Sequence, residues 1–142
     1  MEVFYEKSRF GICTENGSLH EAICELKRIP NIKIIGLHGH FSTRTRSVES
    51  YKRKTEKLCQ IAKEYIIESL KFIDVGGGIY GGLPKTFHNN APSFDDYAEA
   101  ICEVMNHEFA SYENKPTLIL EPGVSMVANT FIFIAKVIGR KI

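Results

Sequence analysis

Short apolar runs alternate with longer amphipathic segments along this chain, and this alternation constrains the fold more than any other feature. The apolar runs, which we predict to be strands, lie near residues 32–38, 71–76 and 117–121. The amphipathic segments repeat apolar residues every three or four positions and predict helices near residues 18–29, 47–68 and 93–110. Largely apolar strands that alternate with helices are typical of a parallel sheet covered by helices. We therefore predict an α/β fold.

The length of the chain limits how much of such a sheet it forms. A complete eight-stranded α/β barrel needs ~250 residues, whereas this chain has 142 residues. The residues alone leave two alternatives open: a small open α/β domain, or one part of a larger barrel.

Composition and charge exclude several kinds of partner. The formal net charge is +1, so no basic field indicates nucleic acid. The longest apolar run, residues 131–137, contains Lys136 and is too short to cross a bilayer. The first residues have no apolar signal core. The four cysteines form no CxxC pair, and we expect them to be reduced thiols of a cytoplasmic protein: Cys13, Cys24, Cys59 and Cys102.

Each predicted strand ends in polar residues or glycines. The three strand ends are His-Gly-His at 38–40, Asp-Val-Gly-Gly-Gly at 74–78 and Glu-Pro-Gly at 121–123. In a parallel sheet the C-terminal ends of the strands meet at one edge, where functional residues collect. We therefore predict that the three segments lie on one rim.

The glycines Gly76, Gly77 and Gly78 predict an anion site at that rim. Without Cβ atoms, their backbone N–H groups can approach and wrap a phosphate. A triple glycine also fits a flexible turn, but this one ends an apolar strand beside two other polar strand ends, which favours ligand binding.

The histidine pair admits two interpretations. His38 and His40 are two residues apart, so in a strand their side chains share a face. They can chelate zinc together with a carboxylate, either Asp74 or Glu121. Alternatively, a flat imidazole can stack on a flat cofactor, while a partly buried Glu121 pairs with a cation such as a protonated pyridine nitrogen.

Four segments, taken in order, resemble the barrel-fold (fold type III) pyridoxal-phosphate-dependent decarboxylases, which include diaminopimelate, ornithine and arginine decarboxylases. They are Ser-Arg-Phe-Gly-Ile at 8–12, Gly-Leu-His-Gly-His-Phe-Ser-Thr at 36–43, Phe-Ile-Asp-Val-Gly-Gly-Gly at 72–78 and Glu-Pro-Gly-Val at 121–124. The resemblance covers the chain from about residue 8 to residue 141. It implies a partial (β/α)8 TIM-like barrel, about the last three β/α units, with parallel strands and covering helices.

The resemblance implies pyridoxal 5'-phosphate as the cofactor and gives two residues catalytic roles. His40 would stack on the cofactor ring. Glu121 would pair with the pyridine nitrogen and keep it protonated, which makes the ring an electron sink for the carbanion left when CO₂ departs.

The resemblance also implies a phosphate site. The backbone amides of Gly76, Gly77 and Gly78 would hold the phosphate. Thr43 stands where the family usually has a phosphate-binding serine, and Ser42 stands where it has glycine.

Two features of the family are missing. Val124 replaces an arginine that usually contacts the phosphate, and Arg44 or Arg46 are the candidates to compensate. The family's Schiff-base lysine lies on the first barrel strand, upstream of the residues present here. The resemblance thus implies that residues 1–142 form the C-terminal part of the pyridoxal-phosphate-binding barrel domain, without the N-terminal barrel half and without the C-terminal β-domain.

The implied activity is removal of CO₂ from a basic amino acid, as in diaminopimelate decarboxylase, through a Schiff-base carbanion. The expected partners are a small amino-acid substrate and, in the complete enzyme, a second copy in a homodimer; neither nucleic acid nor a membrane is expected. We expect the isolated chain to be inactive. Two alternatives stay open: a metal-dependent barrel hydrolase that uses His38, His40 and Asp74 or Glu121, and a non-catalytic cofactor-binding module.

Overall fold

The structure is a computed structural model that describes residues 10–40, 46–81, 91–127, 130, 132 and 134–140. Its elements in chain order are α1 (Ser18–Arg28), β1 (Gly36–His38), α2 (Val48–Tyr65), a 3₁₀ turn (Ile67–Ser69), β2 (Phe72–Asp74), α3 (Phe94–Glu108), β3 (Thr117–Ile119) and α4 (Gly123–Val127). The three long predicted helices and the three predicted strands are all present. The short helix α4 was not predicted.

The three strands form one parallel sheet with β2 in the centre. Gly36 pairs with Phe72, which pairs in turn with Thr117. This parallel pairing confirms the predicted fold class. The first strand is shorter than predicted, since regular pairing covers only Gly36–His38, although the Ile35 carbonyl still accepts from Lys71 N at 2.7 Å.

Side-chain caps fix where two helices begin. The Ser47 side chain accepts from Ser50 N at the start of α2. At the start of α3, Ser93 and Asp96 form a reciprocal capping box, which satisfies two backbone donors that a helix leaves open. Asp95 lies in the same first turn, where a negative charge suits the helix dipole.

The core lies between one face of the sheet and helices α2 and α3. Ile73 and Val75 are fully buried in a single cluster with Tyr51, Tyr97 and other side chains of the two helices. Burial of one such side chain contributes about 1.5–3 kcal/mol to folding. Leu37 packs against the same cluster. Because side chains alternate along a strand, the opposite face carries His38 and the polar groups of the rim.

All four cysteines are free thiols, as predicted. Cys59 is buried, and that burial raises the pKa of its thiol to about 12, so this sulfur is a poor nucleophile. Within the part of the chain that is described, no helix combines the length and apolar character required to cross a membrane.

Candidate active site

The three strand ends converge on one rim, as predicted. Gly39 N donates to the Asp74 carbonyl at 2.9 Å, and Glu121 N donates to the Gly76 carbonyl at 3.1 Å. A Cβ built on Gly76 would lie 3.1 Å from His40 Nδ1. The ends of β1, β2 and β3 are therefore in direct contact at this edge of the sheet.

Two side chains form hydrogen bonds to the backbone of the glycine segment at residues 76–78. The Asp74 carboxylate accepts from Gly76 N at 2.8 Å, and the buried Tyr51 hydroxyl donates to the Gly77 carbonyl at 2.7 Å. Gly76 and Gly78 adopt φ of +68° and +89°, a region that other residues reach only with strain. The segment is thus a fixed turn. The amide of Gly76 is engaged in its hydrogen bond to the Asp74 carboxylate.

Close packing against β3 explains why residue 77 is glycine. A Cβ on Gly77 would lie 2.1 Å from the Glu121 carbonyl oxygen, well inside van der Waals contact. The backbone of the glycine segment therefore lies directly against the turn that carries Glu121.

His38, His40 and Glu121 project from the rim on the exposed side of the sheet. The His38 Nε2 atom lies 3.5 Å from Glu121 Oε2, and the two imidazole rings meet edge to face with centroids 6.3 Å apart. Phe10 also approaches His40 edge to face at 6.1 Å. Each of the three polar side chains offers a ligand atom within 4.8 Å of the other two.

Asp74 is not part of that group. It is buried, and its carboxylate is directed to the Gly76 amide. Of the two acids predicted as partners for the histidines, Glu121 is the one that the structure brings to them.

Several predicted residues are placed elsewhere or not described. Ser42, Thr43 and Arg44 lie outside the described residues. The Arg46 guanidinium lies 5.0 Å from the centre of the Tyr80 ring, two residues beyond Gly78. Val124, at the position of the family's arginine, is exposed at the start of α4.

The sequence did not single out Tyr51 and Lys54, which lie behind the glycine segment. Helical spacing by itself assigns Tyr51 only to the apolar stripe of α2. A tyrosine in a buried stripe is nonetheless a signal, because its hydroxyl needs a partner, and here the partner is Gly77. Lys54, one turn later, places its Nζ 3.9 Å from the centre of the Tyr51 ring.

Burial lowers the pKa of Lys54 to about 8, although the nearby Asp74 carboxylate acts in the opposite direction. Lys52, on the same helix, has its pKa raised, chiefly by a hydrogen bond to Glu103. We expect NMR titration of the side-chain carbons to show Lys54 losing its proton near pH 8 and Lys52 above the ordinary lysine value. Titration of both lysines together would contradict this placement of Lys54.

The lowered pKa of Lys54 also predicts that the free energy of unfolding depends on pH. Between pH 8 and the unfolded pKa of ~10.4, the unfolded chain binds more protons at Lys54 than the folded chain. The Lys54 contribution to the free energy of unfolding must therefore rise with pH across that window. We expect the wild type to gain stability relative to Lys54→Met as pH rises from 8 to 10, as measured by urea unfolding. A constant difference would contradict the prediction.

A family model and several curated proteins match most of this chain. Residues 2–128 match the family model described as "Pyridoxal-dependent decarboxylase, pyridoxal binding domain". The diaminopimelate decarboxylase of Methanocaldococcus jannaschii is 30% identical over an alignment of 137 residues that covers 93% of this chain and 30% of that protein. That of Aquifex aeolicus is 26% identical over the same shares. The chain thus spans about a third or less of the curated relatives that it matches.

Solved structures show the same likeness. The crystal structure of the M. jannaschii diaminopimelate decarboxylase superposes with a TM-score of 0.69 at 26% identity, covering 82% of this chain and 27% of that one. A Helicobacter pylori diaminopimelate decarboxylase in complex with L-lysine gives a TM-score of 0.57, also at 26% identity, over 72% of this chain and 24% of that one.

Proposed function

Because the chain belongs to the pyridoxal-dependent decarboxylase family, we propose that it forms the part of an amino-acid decarboxylase that holds the phosphate and the pyridine nitrogen of pyridoxal 5'-phosphate. The observation that carries this proposal is the meeting of three strand ends, which brings a fixed glycine turn, an imidazole and a carboxylate together on one rim. Residues 1–142 would then be the later part of a cofactor-binding barrel domain.

The residues at the rim fit the cofactor. A phosphate needs backbone donors that no side chain obstructs, and the glycines at 76–78 carry no side chains of their own that could cover their amides. Because Asp74 already occupies the Gly76 amide, the amides of Gly77 and Gly78 are the donors that we assign to the phosphate. This revises the role of Gly76, which becomes part of the turn's framework.

Two further residues, Ser42 and Thr43, are assigned to the phosphate by resemblance alone. They lie two and three residues after His40 in sequence, and their hydroxyls would supplement the glycine amides.

The exposed ends of His40 and Glu121 fit the ring. The Glu121 carboxylate would hold a proton on the pyridine nitrogen, and the His40 imidazole would lie on the ring face. When bound, pyridoxal phosphate supplies a protonated ring that withdraws electrons from the substrate carbon that loses CO₂. Glu121 thus tunes the ring, whereas the glycine turn binds the phosphate.

The relatives support a proposal for the substrate of the complete enzyme. We propose a basic amino acid of the diaminopimelate type as substrate, because the relatives at 30% identity are named diaminopimelate decarboxylases. We also propose a homodimer as the active form, which rests on the family resemblance alone. The family match favours this activity over that of a metal-dependent barrel hydrolase.

Glu121→Gln tests the division of roles. We expect the variant to retain phosphate affinity while the bound pyridine nitrogen loses its proton at a lower pH, because an amide cannot stabilise the pyridinium charge as a carboxylate does. The readout is the ¹⁵N shift of labelled cofactor across pH, with Glu113→Gln at an exposed bend between α3 and β3 as control. In a complete enzyme the same change should strongly reduce turnover. An equal loss of phosphate affinity would contradict the assignment.

A further inference from the structure

We propose that His38, His40 and Glu121 form a binding site for a divalent transition-metal ion of the zinc class. Their ligand atoms all lie within 4.8 Å of one another, and His38 Nε2 is already 3.5 Å from Glu121 Oε2. Zinc–ligand bonds of ~2.0–2.1 Å in a tetrahedron separate neighbouring ligand atoms by ~3.3 Å. One pair therefore has nearly the required separation, and the others need a movement of about 1.5 Å or less.

The sheet explains how these three side chains meet. His38 and His40 leave the same face at the end of β1, whereas Glu121 follows β3, and β2 lies between them. Outer strands of a three-stranded sheet are ~10 Å apart. Side chains can bridge that distance because the intervening residue is Gly76, just beyond the end of β2, which places no side chain between them. The position of His40 Nδ1, 3.1 Å from a Cβ built on Gly76, shows that the imidazole occupies this space.

The donor set determines which metal fits. Two imidazoles and one carboxylate are ligands of zinc, cobalt and nickel, whereas magnesium and calcium prefer oxygen alone. The three groups are exposed at the rim, so their side chains can rotate inward around an ion. Three protein ligands also leave a fourth tetrahedral position for water.

One consequence concerns the cofactor and rests on the proposed function. His40 and Glu121 are assigned to the cofactor as well, and a bound metal cation would compete with the protonated pyridine nitrogen for the Glu121 carboxylate. Metal and cofactor should therefore exclude each other. Substitution of His38 distinguishes metal binding from cofactor binding, because His38 is assigned to the metal alone.

Cobalt(II) titration of the chain tests the metal site, with visible absorbance as the readout. We expect one ion per chain, and we expect His38→Ala and Glu121→Ala each to weaken binding by at least about tenfold. His107→Ala, an exposed histidine on α3, is the matched control and should leave the affinity unchanged. Both test residues have half-exposed side chains, and thermal unfolding by circular dichroism verifies that the variants remain folded.

A second pair of possible cobalt ligands defines the main result that would contradict the proposal. His20 and Cys24 lie one turn apart on α1 with Nε2 and Sγ 3.5 Å apart, and a cobalt ion bound there would show a thiolate charge-transfer band. Such a band, lost in Cys24→Ala, or affinity unchanged by His38→Ala, would overturn the proposal. Cobalt binding without cofactor binding would refute only the proposed function, and the reverse result only the metal site.

Discussion

Gly77→Ala is expected to abolish cofactor binding at the rim and to destabilise the fold by about 1–3 kcal/mol, the usual range for overpacking. The new Cβ would lie 2.1 Å from the Glu121 carbonyl oxygen, so either the glycine turn or the β3 end must move. A displaced turn loses charge-assisted hydrogen bonds to phosphate, each worth about 1.5–3 kcal/mol, or more than about tenfold in affinity. Urea unfolding and equilibrium binding of pyridoxal phosphate measure the two effects.

Gly123→Ala is the matched control. It lies two residues from Glu121, and a Cβ there would meet nothing within 4 Å. We expect it to retain both stability and binding. If Gly77→Ala bound the cofactor as well as Gly123→Ala, the glycine turn would not be the phosphate site.

The 142 residues by themselves are expected to show no decarboxylase activity. The chain spans about 30% of the length of the relatives, and the family resemblance places the cofactor-linked lysine on an earlier strand. Lys71 directly precedes β2 and does not lie at its C-terminal end, and Lys85 lies outside the described residues. The measurement is CO₂ release from diaminopimelate, lysine, ornithine and arginine with cofactor present. Clear turnover would contradict the inference that no lysine among these residues is placed to link the cofactor.

The outer strands of the sheet and the exposed apolar side chains predict association. Within the described residues, β1 and β3 are the outer strands of the sheet, and apolar side chains at the end of β3 and on α4 are exposed, among them Ile119, Leu120, Val124 and Met126. Unpaired strand edges and exposed apolar groups favour contact with another chain. We expect sedimentation to show oligomers or aggregates. A well-behaved monomer would contradict the interpretation as an open part of a barrel.

The sheet and its rim could be predicted because they depend on local rules. Branched apolar runs identify strands, helical spacing identifies the covering helices, and parallel pairing then places the ends of β1, β2 and β3 at one edge. From that topology alone, His40, Gly76 and Glu121 were expected to meet. The strand lengths were overestimated, because apolar composition at 32–35 does not itself determine where ladder pairing begins.

The support behind the glycine turn depends on packing that periodicity does not specify. Helical spacing placed Tyr51 on a buried face but could not identify Gly77 as its partner. Nor could it show that Lys54 lies beside the same ring. The hydrogen bond from the Gly76 amide to the Asp74 carboxylate was easier to predict from the sequence, since an aspartate side chain often accepts from the amide two residues later. That local rule would have favoured a structural role for Asp74 over a metal ligand.

Hydrogen exchange followed by mass spectrometry is the most direct test of the proposed cofactor site, and it tolerates association of the chain. We expect pyridoxal phosphate to slow amide exchange in the peptides that contain residues 74–79 and 119–124, and pyridoxal without phosphate to protect residues 74–79 far less. Unchanged exchange at both segments would contradict the account. So would protection confined to the cleft near Cys102, Asn106 and Leu118, away from the rim.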